Sequence, residues 1–127
     1  MTGADLRELL DFAVDVARQA GKVTLEYFQT QLSIERKSDN SAVTIADRQT
    51  EQTIRNLIQT RFPEHSIIGE EYGEQAGGSE YTWIVDPIDG TQSFIHGVGL
   101  YGVLIGLEYR NEAVLGVVNC PAVDEIV

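Results

Sequence analysis

The chain has 127 residues, 43% of them hydrophobic and 23% charged, which suits one soluble domain with a real core and leaves no room for two. Twenty acids against nine bases give a net charge of −11. That field repels nucleic acid and anionic membranes, and no apolar run reaches the roughly 18 residues of a membrane span. The N-terminal residues lack the basic start of a signal peptide. The single cysteine, Cys120, forbids an internal disulfide and favours a reducing, cytoplasmic setting.

In chain order, residues 5–29 predict one long amphipathic helix. Leu6, Leu9, Leu10, Ala13, Val16, Ala17, Ala20, Val23, Tyr27 and Phe28 follow a three-and-four spacing. Residues 32–37 predict a short strand, and SDNSA a turn. A second helix is expected from about Val43 to Phe62, with Ile45, Ile54, Leu57 and Ile58 inward and Pro63 ending it. Residues 66–69 and 81–86 predict strands, with a loop rich in Gly and Glu between them. Residues 90–97 suit a short helix. Residues 101–109 and 113–119 predict two strands joined in a hairpin at 110–112. His65 and His96 lack paired zinc-site spacing and read as ordinary surface or loop histidines. The fold class is α+β, helices layered on a largely antiparallel sheet, in one domain over 1–127.

The acids cluster at the ends of these elements: Glu70-Glu71 after the third strand, Asp86 and Asp89 after the next, Asp47 near the start of the second helix. If the two strands are neighbours, Glu70, Asp86 and Asp89 meet at their C-terminal ends. Carboxylates so close raise one another's pKa, and a hard cation such as Mg²⁺, which prefers oxygen ligands, relieves them. Pro87 forces Asp86 into an extended conformation, so the strand should stop there. The Ile88 carbonyl is a further candidate ligand. Gly90 and Thr91 open the short helix, where backbone N–H groups favour phosphate. Each piece has a blander reading. Asp89-Gly90 suits a hairpin turn, Glu70-Glu71 a solvated loop, Thr44-x-x-Asp47 a capping box and Lys37 a surface lysine.

Taken together and in order, these pieces resemble the inositol monophosphatase superfamily of Mg²⁺-dependent, lithium-sensitive phosphatases. The likeness rests on K-x-D-x-S-x-V-T-x-A-D at Lys37–Asp47, on GEE at 69–71 and on W-I-V-D-P-I-D-G-T-x-x-F at Trp83–Phe94. The resemblance implies an αβαβα sandwich of which this chain is the first part. It implies two or three Mg²⁺ ions, the first held by Glu70, Asp86 and the Ile88 carbonyl, the second by Asp86 and Asp89. Asp47 and Thr91 would orient and deprotonate the attacking water, Gly90 and Thr91 would contact the phosphate, and Lys37 and Glu71 would stand just outside the ligands. The substrate would be a small phosphate ester. DGTQSF and the G-x-x-x-[FY]-G-x-L-I pattern at 97–105 look more like the histidinol-phosphate branch, with inositol 1-phosphate the alternative. The superfamily also holds fructose-1,6-bisphosphatase-like enzymes and 3′-nucleotidases.

Relatives in that superfamily are about twice as long, and their W-D-x-x-A-G aspartate has no counterpart here. The expectation is that residues 1–127 alone are nearly inert and expose a sheet edge, which a homodimer partner or the remaining half would cover. Two other classes compete with the enzyme: a non-catalytic divalent-metal module, and an acidic interaction domain that binds no metal.

Overall fold

The computed structural model describes residues 2–30, 35–36 and 42–127. Lys37 and most of the strand expected over 32–37 lie outside them. The described elements are α1 (Gly3–Tyr27), β1 (Glu35–Arg36), β2 (Ala42–Val43), α2 (Ile45–Arg61), β3 (Ser66–Gly69), β4 (Gly73–Gln75), β5 (Tyr81–Asp89), α3 (Thr91–Ile95), β6 (Gly102–Tyr109), β7 (Glu112–Cys120) and β8 (Glu125–Ile126). β1 and β2 pair with each other, and the remaining strands form one sheet in the order β4-β3-β5-β6-β7-β8. Only the β3–β5 pair is parallel. This is the α+β architecture that the sequence predicts, with helices on a mostly antiparallel sheet.

Helix α1 begins with a Thr2–Asp5 capping box and buries Leu9, Ala13, Val16, Ala17 and Ala20, the small-residue stripe of its apolar face. That stripe lets α1 lie close on the sheet. Asn119 of β7 donates through Nδ2 to the Ala17 carbonyl at 2.8 Å, and a Cβ on Gly21 would meet that same amide at 2.4 Å. Helix α2 buries Ala46, Thr50, Ile54 and Ile58, each four residues apart. Ile45 was expected to point inward and instead is 46% exposed. It is the first helical residue after the Thr44 cap, about 100° away from the Ala46 row. Ile54, Ile58, Trp83, Ile105, Leu107 and Val117 join the α1 stripe in one core.

Two strand boundaries depart from expectation. The Gly/Glu-rich segment after β3 contains β4, which pairs antiparallel with β3 through Ile67↔Gln75 and Gly69↔Gly73. All three of its residues are exposed, so it carries no alternation to read, as suits a charged edge strand. Strand β5 continues past Pro87 to Asp89. Its register with β6 shifts from Asp86↔Leu104 to Asp89↔Gly102, three residues against two. A bulge of this kind tolerates a proline, because the ladder needs no N–H there. The β6–β7 hairpin turns at Arg110 and Asn111, both at positive φ (52° and 66°), the conformation of a tight two-residue turn.

Candidate active site

The parallel register Gly69↔Val85 fixes the site. One residue further along each chain segment are Glu70, just past the end of β3, and Asp86, within β5, close enough for Glu70's charge to act on Asp86. Asp86 is half-buried, and its pKa is pushed up from 3.8 to about 6. Loss of solvent is the main cause, followed by the negative charges of Glu70, Asp89 and Asp47; the Ile88 N–H, donating to the Asp86 carboxylate, pulls the other way. The bulge after Pro87 brings Asp89 back toward the same point. Four acids therefore share one electrostatic neighbourhood. Among the described residues no three acidic, histidine or cysteine side chains close into a metal cage.

Asp47 serves two partners. It is 2% exposed, and its Oδ2 accepts from the Thr44 N–H at 2.9 Å and the Thr44 hydroxyl at 2.8 Å. That is the expected cap of α2. Its Oδ1 lies 3.1 Å from the Thr91 hydroxyl, which is also 3.1 Å from the Ile88 carbonyl. One hydroxyl proton can serve only one of these acceptors at a time. Thr91 thus joins the start of α2, the end of β5 and the start of α3. The Ile88 carbonyl keeps a second lone pair.

Gly90 makes the turn possible. Its φ is 88°, and a Cβ there would sit 3.0 Å from the Leu100 carbonyl oxygen. Beneath the turn, Ile88, Phe94, Tyr101 and Ala46 form a second apolar cluster, flanked by Tyr27 and Phe28. The Tyr101 hydroxyl meets the Thr24 hydroxyl at 3.0 Å.

The donor set suits a hard divalent cation. It is all oxygen, it is strongly negative, and Asp86 resists ionisation without a neutralising charge. Two groups were not read from the sequence. Glu51, fully buried, accepts from the N–H groups of Glu71 (2.8 Å) and Tyr72 (2.9 Å). Arg55 pairs with it at 2.9 Å. Their signal was position: Glu51 falls between Asp47 and Ile54 on the buried face of α2, where a solvated charge has no place. His65 is also more than a surface residue. It stacks on Phe62 and Tyr81 at 4.5 and 4.7 Å and accepts at Nδ1 from the Trp83 indole N–H at 3.0 Å.

Residues 5–127 match the Inositol monophosphatase family. The chain belongs to that family. It is 48% identical over 118 residues to a histidinol-phosphatase of Chlorobaculum parvum, covering 92% of this chain and 46% of that protein. It is 39% identical over 125 residues to inositol monophosphatase 3 of Solanum lycopersicum, covering 95% and 47%. The crystal structure of the extragenic suppressor protein suhB from Bartonella henselae superposes with a TM-score of 0.89 at 32% identity, over 94% of this chain and 47% of that one. The chain thus spans about half the length of the inositol monophosphatase relatives it matches. Among the described residues no helix is long and apolar enough to cross a membrane.

Proposed function

We propose that this chain carries the metal- and water-handling part of a Mg²⁺-dependent phosphomonoesterase. The observation that carries the reading is Asp86, held near pKa 6 by burial and by Glu70, Asp89 and Asp47. Glu70, Asp86, Asp89 and the Ile88 carbonyl would hold two or three Mg²⁺ ions, and lithium is expected to inhibit. The chemistry such ions supply when bound is activation of water and neutralisation of phosphate charge. The chain's own residues do the rest. When the Thr91 hydroxyl donates to Asp47, its lone pairs are free to accept a hydrogen bond from water. As it takes the water's proton, its own proton would pass to the Asp47 carboxylate. Asp47 cannot swing away, because Thr44 holds its other oxygen. Gly90 and Thr91 stand beside the acids, where they would meet a phosphate. Lys37 and Glu71 would flank the ligands.

The proposed substrate is histidinol phosphate, supported by the 48% identity to a histidinol-phosphatase; inositol 1-phosphate is the alternative, from the 39% relative. A cytoplasmic location agrees with the single free cysteine. In a metal module without catalysis the Thr91–Asp47 contact would be only a structural tie between α2 and α3. The test is hydrolysis of both esters, with Mg²⁺ and with EDTA, by the chain extended to its relatives' length. A higher kcat/KM for histidinol phosphate, abolished by EDTA, is expected. The reverse ranking would assign inositol phosphate, and equal rates in EDTA would overturn the metal reading.

A further inference from the structure

We infer that Glu51 and Arg55 of α2 are positioning residues that set the height of Glu70 over the acid cluster. The inference rests on the reading of Glu70 as a metal ligand. A buried ion pair by itself says little about stability, since an apolar pair of similar size often serves as well. What decides here is where the remaining hydrogen bonds go. The Glu51 carboxylate is fully buried and spends its oxygens on two consecutive backbone amides, those of Glu71 and Tyr72, and on Arg55 Nε. Arg55, 5% exposed, donates through Nη2 to the Gly73 carbonyl and lies under the Tyr72 ring at 5.9 Å. The pair's other bonds therefore go to the turn between β3 and β4 and to Gly73, the first residue of β4. Glu70 is the first residue of that turn.

Gly69 supplies independent support. A Cβ at this position would lie 2.5 Å from Glu51 Oε2 and 2.6 Å from its carboxyl carbon. The strand end and the carboxylate are thus in direct apposition, and the first residue of the G-E-E run must be glycine for Glu51 to reach the two amides. Charge-assisted bonds of this type are roughly twice as strong as neutral ones. They clamp the turn from the helix side, so Glu70 meets Asp86 from a fixed backbone instead of a free loop.

The test titrates Mg²⁺ alone against the protein and its variants by calorimetry, alongside amide exchange at Glu71 and Tyr72. Glu51→Gln keeps the shape but replaces one acceptor oxygen by a donor. It should weaken Mg²⁺ binding about tenfold or more, within the range typical for groups that orient metal ligands, and should speed exchange of both amides. Arg55→Lys keeps a cation beside Glu51 and loses the forked reach to Gly73; it should shift both readouts the same way by less. This milder variant decides the matter should Glu51→Gln not fold. Ile54→Val, a core change one position before Arg55, should lower stability while leaving Mg²⁺ affinity alone. Glu70→Gln separates the ligand role from the positioning role. If it weakens Mg²⁺ binding while Glu51→Gln and Arg55→Lys bind as the parent does, the positioning role is overturned and the ligand stands. If Glu70→Gln binds Mg²⁺ unchanged, the ligand reading falls and the positioning role falls with it.

Discussion

Asp47 caps α2 through one oxygen and reaches Thr91 through the other, so its two roles separate by mutation. Asn keeps one acceptor oxygen and can satisfy only one side. Asp47→Asn and Thr91→Ala should each lower turnover of the extended chain by about 10²–10⁴, the usual worth of a positioned acid–base group, with Mg²⁺ affinity nearly intact. Full activity in Asp47→Asn would make it a cap and nothing more. His65 gives a prediction of another kind. Burial holds its pKa below the ordinary 6.5, and the Trp83 N–H requires a bare Nδ1. A base with a depressed folded pKa adds stability that is fully present above pH 6.5 and is lost as pH falls through the folded value. Thermal melts should therefore show a loss of stability on acidification below about 6.5 that is smaller in His65→Gln. An unchanged slope would show that His65 does not contribute to the acid sensitivity. Asp86, Asp89 and Glu70 were legible as candidates because Pro87 and Gly90 directly follow the first two and the end of β3 directly precedes the third. Glu51 was not, since Glu51 and Arg55 at four-residue spacing look like any solvated helix pair; burial alone distinguishes them.

At the scale of elements, apolar periodicity located both long helices and four of the strands. It failed where side chains carry no pattern, as in the fully exposed β4, and where a local rule met a tertiary one. Pro87 reads as a strand terminator, yet the sheet absorbs it in a bulge between Asp86 and Asp89. That bulge, not a strand end, returns Asp89 to the site. The turn that follows depends on Gly90. Gly90→Ala imposes a side chain at φ 88° against the Leu100 carbonyl, and should cost about 1–3 kcal/mol. It should also shift Thr91 away from Asp47. Chemical denaturation measures the first effect, and lost turnover in the extended chain the second. A fully stable, fully active Gly90→Ala would contradict the required conformation. Ile54→Ala, in the core that seats α2 on the sheet, should cost about 2–5 kcal/mol by the same measurement.

Across the whole molecule, the helices cover one face of the sheet and leave the other open. Ile68, Ile84 and Val118 are exposed on the strands. A hollow of about 310 Å³ at Val118 is also lined by Asp89, Leu100, Leu104 and Val123. β8 forms one edge of the sheet. Apolar surface of this extent next to an open edge favours association. We therefore expect residues 1–127 alone to self-associate with rising concentration in sedimentation runs, and to hydrolyse phosphate esters barely or not at all. Val118→Thr with Ile84→Thr should weaken the association. A monodisperse, active monomer would show that this face needs no cover.

The proposed metal site depends above all on Asp86, the acid on which Glu70, Asp89 and Asp47 all act. In EDTA, Asp86→Asn should be at least as stable as the parent, because it removes a buried charge among like charges. With saturating Mg²⁺ the order should reverse, since only the parent gains stability by binding. The decisive measurement is thus a calorimetric Mg²⁺ titration of the two proteins side by side. A saturable heat in the parent that is lost or greatly weakened in Asp86→Asn is the expected result; equal affinity in both would contradict the metal site.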